Sequence, residues 1–234
     1  MNVKKFLEDL VEKYNLLDEK VVIKVADPKL DTKRIKDYPL VTGKEVLLRA
    51  YLKDCKGEAF TDKPIEFEGT IREVLERNNI QELVAVLNAV MKYLNLTDKT
   101  EHCKGDEPER CAKELAKMLK EENIKRVGII GFQPAFVKEL VKTFGAENVI
   151  VSDLNPENVG KVKYGVKVIH GSNNEELIKK SDIVLATGST IVNGTFEEIY
   201  NLAKKYNKRI IFYGTTIAGI SKLLNLERFC VLGR

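Results

Sequence analysis

The chain has 234 residues, and its hydrophobic content of 44% is enough for a folded core rather than a disordered chain. The 39 Lys and Arg residues nearly balance 35 Asp and Glu, and no basic tract is present, which argues against nucleic acid as a partner. No apolar stretch approaches the roughly 18 residues of a membrane span, and no signal peptide is evident. We therefore expect a cytoplasmic protein without a membrane partner, with a charge-rich, Trp-free composition typical of a thermophile.

The first part of the chain predicts a small α+β unit. Apolar residues at helical spacing predict a helix over 3–14. Runs rich in Val, Leu and Tyr predict strands over 21–26 and 45–52. The other predicted elements are a polar loop around Pro39 and Gly43, a hairpin return at 58–60, and helices at 70–77 and 80–94.

From about residue 108 the pattern changes to short apolar strands that alternate with helices. The polar segment 96–108 predicts a linker, and we divide the chain into domains 1–97 and 98–234. The predicted strands are 127–130, 149–151, 166–169, 183–186, 210–213 and 229–232, and the helices are 134–144, 175–180, 196–206 and 218–224. This alternation predicts an α/β fold, with a Rossmann-like parallel sheet covered by helices on both faces.

The loops at the carboxyl ends of parallel strands form the crevice in which such folds bind ligands. The loop after the first strand contains Gly131 and Gln133 and opens a helix, whose backbone N–H groups attract negative charge. Bulky Phe132 stands where a dinucleotide-binding loop needs glycine. The sequence therefore predicts a ligand loop here, but not a standard NAD site.

Two polar residues end the next two strands. Asp153 lies about where an acidic residue would contact the ribose of a nucleotide, and it could equally cap the turn into Asn155 and Pro156. His170 ends the third strand, either as an acid or base or simply as a polar strand terminus. Both alternatives stay open for each residue.

The loops after the fourth and fifth strands are rich in hydroxyl side chains and glycine. Such residues let a ligand approach the backbone and supply hydrogen-bond donors. Thr195 also begins a Thr-Phe-Glu-Glu pattern typical of a helix capping box. The residues that we expect to line a ligand site here are Thr187, Gly188, Ser189, Asn193, Thr215 and Thr216.

A second group of candidate ligands is His102, Cys103 and Cys111. Thiolate and imidazole groups suit soft or borderline transition metals such as zinc. Two other interpretations stay open: Cys111 packs in a helix core with Cys103 as a loop residue, or the two cysteines form a disulfide. Cys55 and Cys230 have no visible partners in the sequence.

Three segments together carry a family resemblance: GIIGFQPA at 128–135, SDLNP at 152–156 and TGSTIVNGT at 187–195. They resemble an uncharacterised prokaryotic family described as "putative heavy-metal chelation". The segment VAVLNA at 84–89 is similar to the companion domain of that family, whose fold is similar to the N-terminal domain of enolase. The resemblance implies a Rossmann-like domain beside a smaller α+β domain, with a ligand site between them and no established reaction.

We therefore expect a small-molecule-binding protein that holds an anionic ligand or a chelated metal in an interdomain cleft. The alternative is an enzyme, a transferase or lyase, that uses a nucleotide-like or adenosyl cofactor with Asp153 on the ribose and His170 as acid or base. A metal-storage module is a third hypothesis and rests on the cysteine cluster alone. The ligand would thus be a transition metal or a nucleotide-like small molecule, and a homo-oligomer is compatible with the sequence.

Overall fold

The computed structural model describes residues 1–27, 29–31, 33, 35 and 45–234. The predicted loop around Pro39 and Gly43 lies outside the described residues. The described chain contains a four-stranded and a seven-stranded sheet with helices packed on them. The α/β class predicted from the sequence is confirmed. None of the helices in this part of the chain is long and apolar enough to cross a bilayer.

The smaller sheet comes from the first part of the chain. Its elements are α1 (Val3–Lys13), β1 (Lys20–Ala26), β2 (Val46–Leu52), β3 (Cys55–Thr61), β4 (Phe67–Thr70), α2 (Ile71–Arg77) and α3 (Ile80–Tyr93). The strands pair antiparallel in the order β3-β2-β1-β4. The sequence did not predict β4, because this four-residue strand has no fully buried position and hence no apolar alternation.

The helix α3 lies very close to β3, and Gly57 makes this approach possible. A Cβ atom at Gly57 would lie 2.1 Å from the backbone nitrogen of Ala89 and 2.3 Å from the carbonyl oxygen of Ala85. Only a residue without a side chain fits there. The helix can therefore bury an almost continuous run of its residues against the sheet.

The larger sheet comes from the second part of the chain. Its elements are α4 (Glu107–Glu121), β5 (Val127–Ile130), α5 (Pro134–Phe144), β6 (Val149–Asp153), β7 (Val162–Lys163), β8 (Val166–His170), α6 (Asn174–Lys180), β9 (Ile183–Thr187), α7 (Phe196–Lys205), β10 (Arg209–Tyr213), α8 (Ala218–Leu223) and β11 (Arg228–Phe229). The strand order is β11-β10-β9-β5-β6-β8-β7, parallel except for the short edge strand β7.

This order places a topological switch point between β5 and β9. From β5 the chain first proceeds through β6 to β8 on one side, and then returns to build β9, β10 and β11 on the other. Loops that leave β5 and β9 therefore diverge at their carboxyl ends and open a crevice, which is the usual ligand position of this doubly wound arrangement.

Two apolar cores cover the faces of the larger sheet. One contains Leu115 of α4 and Leu140 of α5. The other contains Phe212 of β10 and Ile220 of α8, and it is continuous with the residues that α3 buries, such as Leu87. Because this second core includes residues from both sheets, burial of apolar surface holds the two sheets together.

Asn88 of α3 adds a polar connection inside that apolar core. It is 1% exposed. Its Nδ2 group donates to the carbonyl oxygens of Glu58 at 2.8 Å, Thr215 at 3.2 Å and Thr216 at 3.1 Å. Its Oδ1 atom accepts from the backbone N–H of Gly219 at 2.7 Å. One side chain thus ties α3 and β3 to the loop that follows β10.

Replacement of Asn88 by Ala should destabilise the protein by about 2–4 kcal/mol, because buried carbonyl and N–H groups lose their partner. Urea denaturation of wild type and Asn88→Ala measures the change in the free energy of unfolding. The matched control is Glu76→Ala on the exposed face of α2, which should change it by less than about 0.5 kcal/mol. Equal effects of the two substitutions would contradict a connecting role for Asn88.

Candidate functional site

A cavity of about 820 Å³ lies at the carboxyl ends of the strands of the larger sheet. Phe60, Thr61 and Asp62 at the end of β3, together with Glu45, close it from the side of the smaller sheet. The volume is that of a site for a small organic molecule. The nine residues predicted to bind a ligand all line it: Gly131, Gln133, Asp153, Thr187, Gly188, Ser189, Asn193, Thr215 and Thr216. The structure brings them together, and their contact with a ligand stays a prediction.

The carboxylate of Asp153 is fully engaged with its own chain. Its Oδ1 atom accepts from the backbone N–H groups of Leu154 at 2.6 Å and Asn155 at 2.9 Å. Its Oδ2 atom accepts from the N–H of Phe132 at 3.1 Å and from Nδ2 of Asn158 at 2.9 Å. Four hydrogen bonds occupy the usual acceptor sites of a carboxylate, which supports the capping role for Asp153 rather than the ribose contact.

The loop after β5 makes a close contact with the end of β9, across the topological switch point. Gly131 has φ of 90°, and a Cβ atom there would lie 2.5 Å from Cγ2 of Thr187. The Tyr213 hydroxyl donates to the carbonyl oxygen of Gly131 at 2.7 Å. Gln133 Oε1 accepts from the N–H of Phe136 at 2.7 Å and so caps α5. Side chains of the protein thus accept hydrogen bonds from backbone N–H groups that we expected to bind an anion.

The loop after β9 is held by backbone and side-chain hydrogen bonds within the loop itself. The Thr187 hydroxyl accepts from the N–H of Ser189 at 3.3 Å. The Thr195 hydroxyl donates to Oδ1 of Asn193 at 2.7 Å. Thr195 makes no side-chain capping bond to α7, so the predicted capping box is absent. Thr195 has φ of −91° and ψ of −6° instead of the extended conformation of a capping residue, and its backbone N–H already donates to Asn193 Oδ1 at 3.1 Å.

The two threonines after β10 differ in their bonding. The Thr216 hydroxyl accepts from the backbone N–H of Phe60 at 3.1 Å, and so it links this loop to β3. The Thr215 hydroxyl oxygen is buried and has no hydrogen-bond partner among the described residues. A buried hydroxyl without a partner is costly unless a ligand bonds to it. Thr215 is therefore the best placed of the predicted residues to contact a bound molecule.

The described wall of the cavity carries negative charge. Its acidic residues are Glu45, Asp62, Asp153, Glu157 and Glu198, and no Lys or Arg belongs to the described lining. This is a strong local bias in a chain whose basic residues outnumber its acidic ones. A wall of one charge sign concentrates ligands of the opposite sign.

Glu45 shows the effect of this charge on a single group. Burial, followed by the negative charges of Asp153 and Asp62, raises the pKa of Glu45 from 4.5 to about 7. Burial, followed by the charges of Asp153 and Glu45, also raises the pKa of Tyr213. The cavity therefore disfavours additional negative charge. Sequence reasoning missed Glu45, because nothing local indicates that it faces residues a hundred positions away.

The raised pKa of Glu45 predicts a pH dependence of stability. The unfolded chain ionises this carboxyl near pH 4.5, whereas the folded chain retains the proton up to about pH 7. Stability from this group therefore falls as the pH rises from 4.5 to 7. Glu45→Gln removes this pH-dependent loss of stability. At pH 8 the free energy of unfolding of the variant should exceed that of wild type by at most about 3 kcal/mol.

Urea denaturation at a series of pH values from 4.5 to 8 measures the difference between wild type and Glu45→Gln. The matched control is Glu68→Gln, an exposed carboxyl on β4, whose difference from wild type should stay flat over the same range. A flat difference for Glu45→Gln as well would show that Glu45 ionises normally in the folded protein.

His102 lines the same cavity as a neutral imidazole. Burial lowers its pKa to about 4. Its Nδ1 atom lies 2.6 Å from the carbonyl oxygen of Cys103, and since a carbonyl can only accept, Nδ1 carries the proton. The buried carboxylate of Glu58 accepts from the backbone N–H of His102 and pairs with Arg49, whose Nε atom lies 2.6 Å away. This partly buried ion pair fixes the segment that carries His102 and Cys103.

Three cysteines meet at this side of the wall. Cys103, Cys111 and Cys230 all line the cavity, and all are free thiols. The neighbouring Cys103 thiol, followed by the backbone N–H groups of Leu232 and Val231, lowers the pKa of Cys111, and burial opposes this shift.

The predicted metal ligands His102, Cys103 and Cys111 all line the cavity, and metal binding by them stays a prediction. Within the described ranges, no group of three or more His, Cys, Asp or Glu side chains is arranged to hold a metal ion. Cys111 is 6% exposed and packs in the core with Leu115, as one of the alternatives expected. We did not predict from the sequence that Cys230 lies near Cys111. Only the strand order brings the end of β11 beside the start of α4.

Comparison with known proteins gives a family match and two related folds. The family model DUF364, described as "Putative heavy-metal chelation", matches residues 114–232. A DUF364 protein of unknown function from Pyrococcus horikoshii has a similar structure, with a TM-score of 0.53, 20% identity, and coverage of 92% of this chain and 78% of that one. A DUF364 protein of unknown function from Desulfitobacterium hafniense gives a TM-score of 0.50, 14% identity, and coverage of 94% and 85%. At these identities the likeness shows the fold alone.

One curated relative is similar over a short segment. An uncharacterised protein of Methanocaldococcus jannaschii is 51% identical over 43 residues, which is 18% of this chain. The chain covers 65% of that relative, slightly less than two thirds of its length. The relative carries no described activity, so the function has to be argued from the cavity.

Proposed function

The chain belongs to the DUF364 family, a family of unknown function, and on this premise we propose that it binds a small organic molecule in the strand-end cavity. The cavity lies between what we propose are two domains, residues 1–97 and 98–234. The observation that carries the proposal is the convergence of all nine predicted ligand residues on one cavity, among them Thr215, whose hydroxyl has no partner in the described part of the chain.

We propose further that the ligand bears net positive charge. The sequence led us to expect an anion, but the described lining contains five acidic residues and no basic one. The donors expected to attract an anion at the start of α5 are used by Asp153 and Gln133. An anion would enter a region that already raises the pKa of Glu45, and its binding would cost additional electrostatic energy.

A metal ion is compatible with this proposal as part of a preformed complex. The described side chains do not supply three ligands to a bare ion. An organic chelator that already fills the coordination shell would remove that requirement, and the cavity has the volume for such a complex. The description of the family as chelation proteins then refers to a cargo rather than to a resident metal.

The enzyme alternative receives less support. Its adenosyl or nucleotide cofactor needs Asp153 on the ribose, and the acceptor sites of this carboxylate are occupied. His170 Nδ1 accepts from the N–H of Ser172 at 3.1 Å and lies 2.8 Å from its hydroxyl oxygen, as expected for a capping residue at a strand end. The hydrogen bonds of Asp153 and His170 therefore do not favour the enzyme hypothesis over a structural role for these residues.

Charge-matched pairs of probes test the proposed ligand class. Cadaverine and glutarate share a five-carbon chain but carry opposite charges, and isothermal titration calorimetry measures the affinity of each. Cadaverine should bind and glutarate should not. Glu45→Gln at pH 8 should weaken cadaverine about fivefold, as expected for the loss of one partly buried charge pair worth about 1 kcal/mol. The exposed Glu68→Gln should leave the affinity unchanged.

A second pair tests the chelated-metal form of the ligand. The exchange-inert cobalt(III) complexes with ethylenediamine, a cation, and with EDTA, an anion, are similar in size and retain their ligands. The cationic complex should raise the Tm of wild type more than that of Thr215→Ala. Tighter binding of the two anionic probes, or unchanged affinities in both variants, would contradict the proposed site and its charge preference.

A further inference from the structure

A second pocket, of about 200 Å³, lies beside the strand-end cavity and differs from it in charge. Its basic residues are Lys99, Lys222 and Arg228, and Asp98 is the acidic residue of its described lining. Cys230 lines both pockets, so the two adjoin at the end of β11. The second pocket is smaller than the sites of drug-sized molecules, which span about 300–1,000 Å³. It therefore has the size for a small ion or for one end of a larger molecule.

The second pocket forms where the segment after α3 meets the turn after α8. The Thr97 hydroxyl donates to the carbonyl oxygen of Ala218 at 3.3 Å, and so it fixes the segment that carries Lys99 against α8. Lys222 lies in the last turn of α8, and the chain then turns into β11, which begins with Arg228. Three separate segments thus each bring one cation to the same pocket.

Arg228 is held in this pocket by backbone carbonyl groups. Its Nε atom donates to the carbonyl oxygen of Gly214 at 2.9 Å. Its Nη2 atom donates to that of Lys99 at 2.6 Å, and its Nη1 atom to that of Asp98 at 3.3 Å. These bonds orient the guanidinium group without neutralising its charge. Burial lowers the pKa of Arg228, and the neighbouring Cys230 and Asp98 oppose this shift without cancelling it.

The three cations of the pocket also lack ion pairs. In the described ranges, no carboxylate forms an ion pair with Lys99, Lys222 or Arg228. Glu227, which precedes Arg228 in the sequence, is itself bound by Nε of Arg209 at 2.8 Å. Five other arginines do pair with carboxylates: Arg49, Arg72, Arg77, Arg209 and Arg234. Three basic residues against one acidic residue leave the pocket with a net positive charge.

We propose that this second pocket binds a phosphate group, either as inorganic phosphate or as the phosphate end of a monoester. An oriented guanidinium donates hydrogen bonds to phosphate oxygens, and ammonium groups act on phosphate as point charges. The charge of a phosphate monoester, about −1.5 to −2 at pH 7, complements the net positive charge of the pocket. The inference concerns a separate pocket, so it does not depend on the ligand proposed for the strand-end cavity.

Isothermal titration calorimetry of the full-length protein at pH 7.5, with inorganic phosphate and with glycerol 3-phosphate, tests this proposal. Both probes should bind to wild type. Lys222→Gln should weaken the binding of each probe roughly fivefold, because it removes one of three cations that face the anion. Lys222 is exposed, and its replacement leaves the bonds of Arg228 intact, so the variant should fold. Lys120→Gln, also exposed in the last turn of a helix, is the matched control and should bind as wild type does.

Asp98→Asn provides a test of opposite sign. It removes the negative charge of the described lining while the backbone carbonyl that binds Arg228 remains, so it should strengthen phosphate binding. Failure of both probes to bind to wild type would overturn the proposal. Equal affinities of wild type and Lys222→Gln, or weaker binding by Asp98→Asn, would overturn it as well. Tighter binding of one probe supports the proposal and identifies the free ion or the monoester as the source of the phosphate.

Two further titrations separate this pocket from the strand-end cavity. Glu45→Gln, which changes the cavity, should leave the phosphate affinity unchanged, and Lys222→Gln should leave the cadaverine affinity unchanged. Binding of glutarate that Lys222→Gln abolishes would occur in the second pocket rather than in the cavity. Loss of phosphate binding in Glu45→Gln would overturn the assignment of phosphate to the second pocket. A failure of this proposal is therefore distinguishable from a failure of the proposed function.

Discussion

The hydrogen bonds of Asn88 are the constraint on which the geometry of the site depends. This single buried side chain holds the loop after β10 against α3 and β3, and it does so inside an apolar core, where a polar group that loses its partner is costly. Thr216 continues the connection through its bond to Phe60. The loop after β10 and the end of β3, which both line the cavity, are therefore held in fixed positions relative to each other.

The chemistry of the cavity follows from which of its polar groups already have hydrogen-bond partners within the protein. Asp153 and Gln133 take up the backbone donors at the start of α5, so the feature that would attract an anion is already neutralised by the chain. Among the described residues Thr215 is left without a hydrogen-bond partner for its hydroxyl, and Glu45 is left with excess negative charge around it. For the proposed ligand these two groups are the most informative, since binding energy comes from interactions that the free protein lacks.

Much of the fold was predictable because short apolar strands and amphipathic helices are local patterns. The strand-end residues were predictable too, because every parallel strand delivers its following loop to the same edge of the sheet. Glu45 and Cys230 were not, since their positions depend on pairing between distant segments that no local pattern encodes. Asp153 could be located in the sequence, but only the structure shows that the atoms around it leave no acceptor site for a ribose.

The central claim is that the strand-end cavity is the ligand site, and a crystal structure of the protein as purified, without added ligand, tests it most directly. Our account predicts electron density for a small organic molecule in the cavity, with a polar atom about 2.7–3.2 Å from the Thr215 hydroxyl oxygen. It also predicts a positive group of that molecule, or of a soaked cationic probe, on the side of Glu45. A cavity filled by the chain's own side chains, with the bound molecule elsewhere on the surface, would contradict the account.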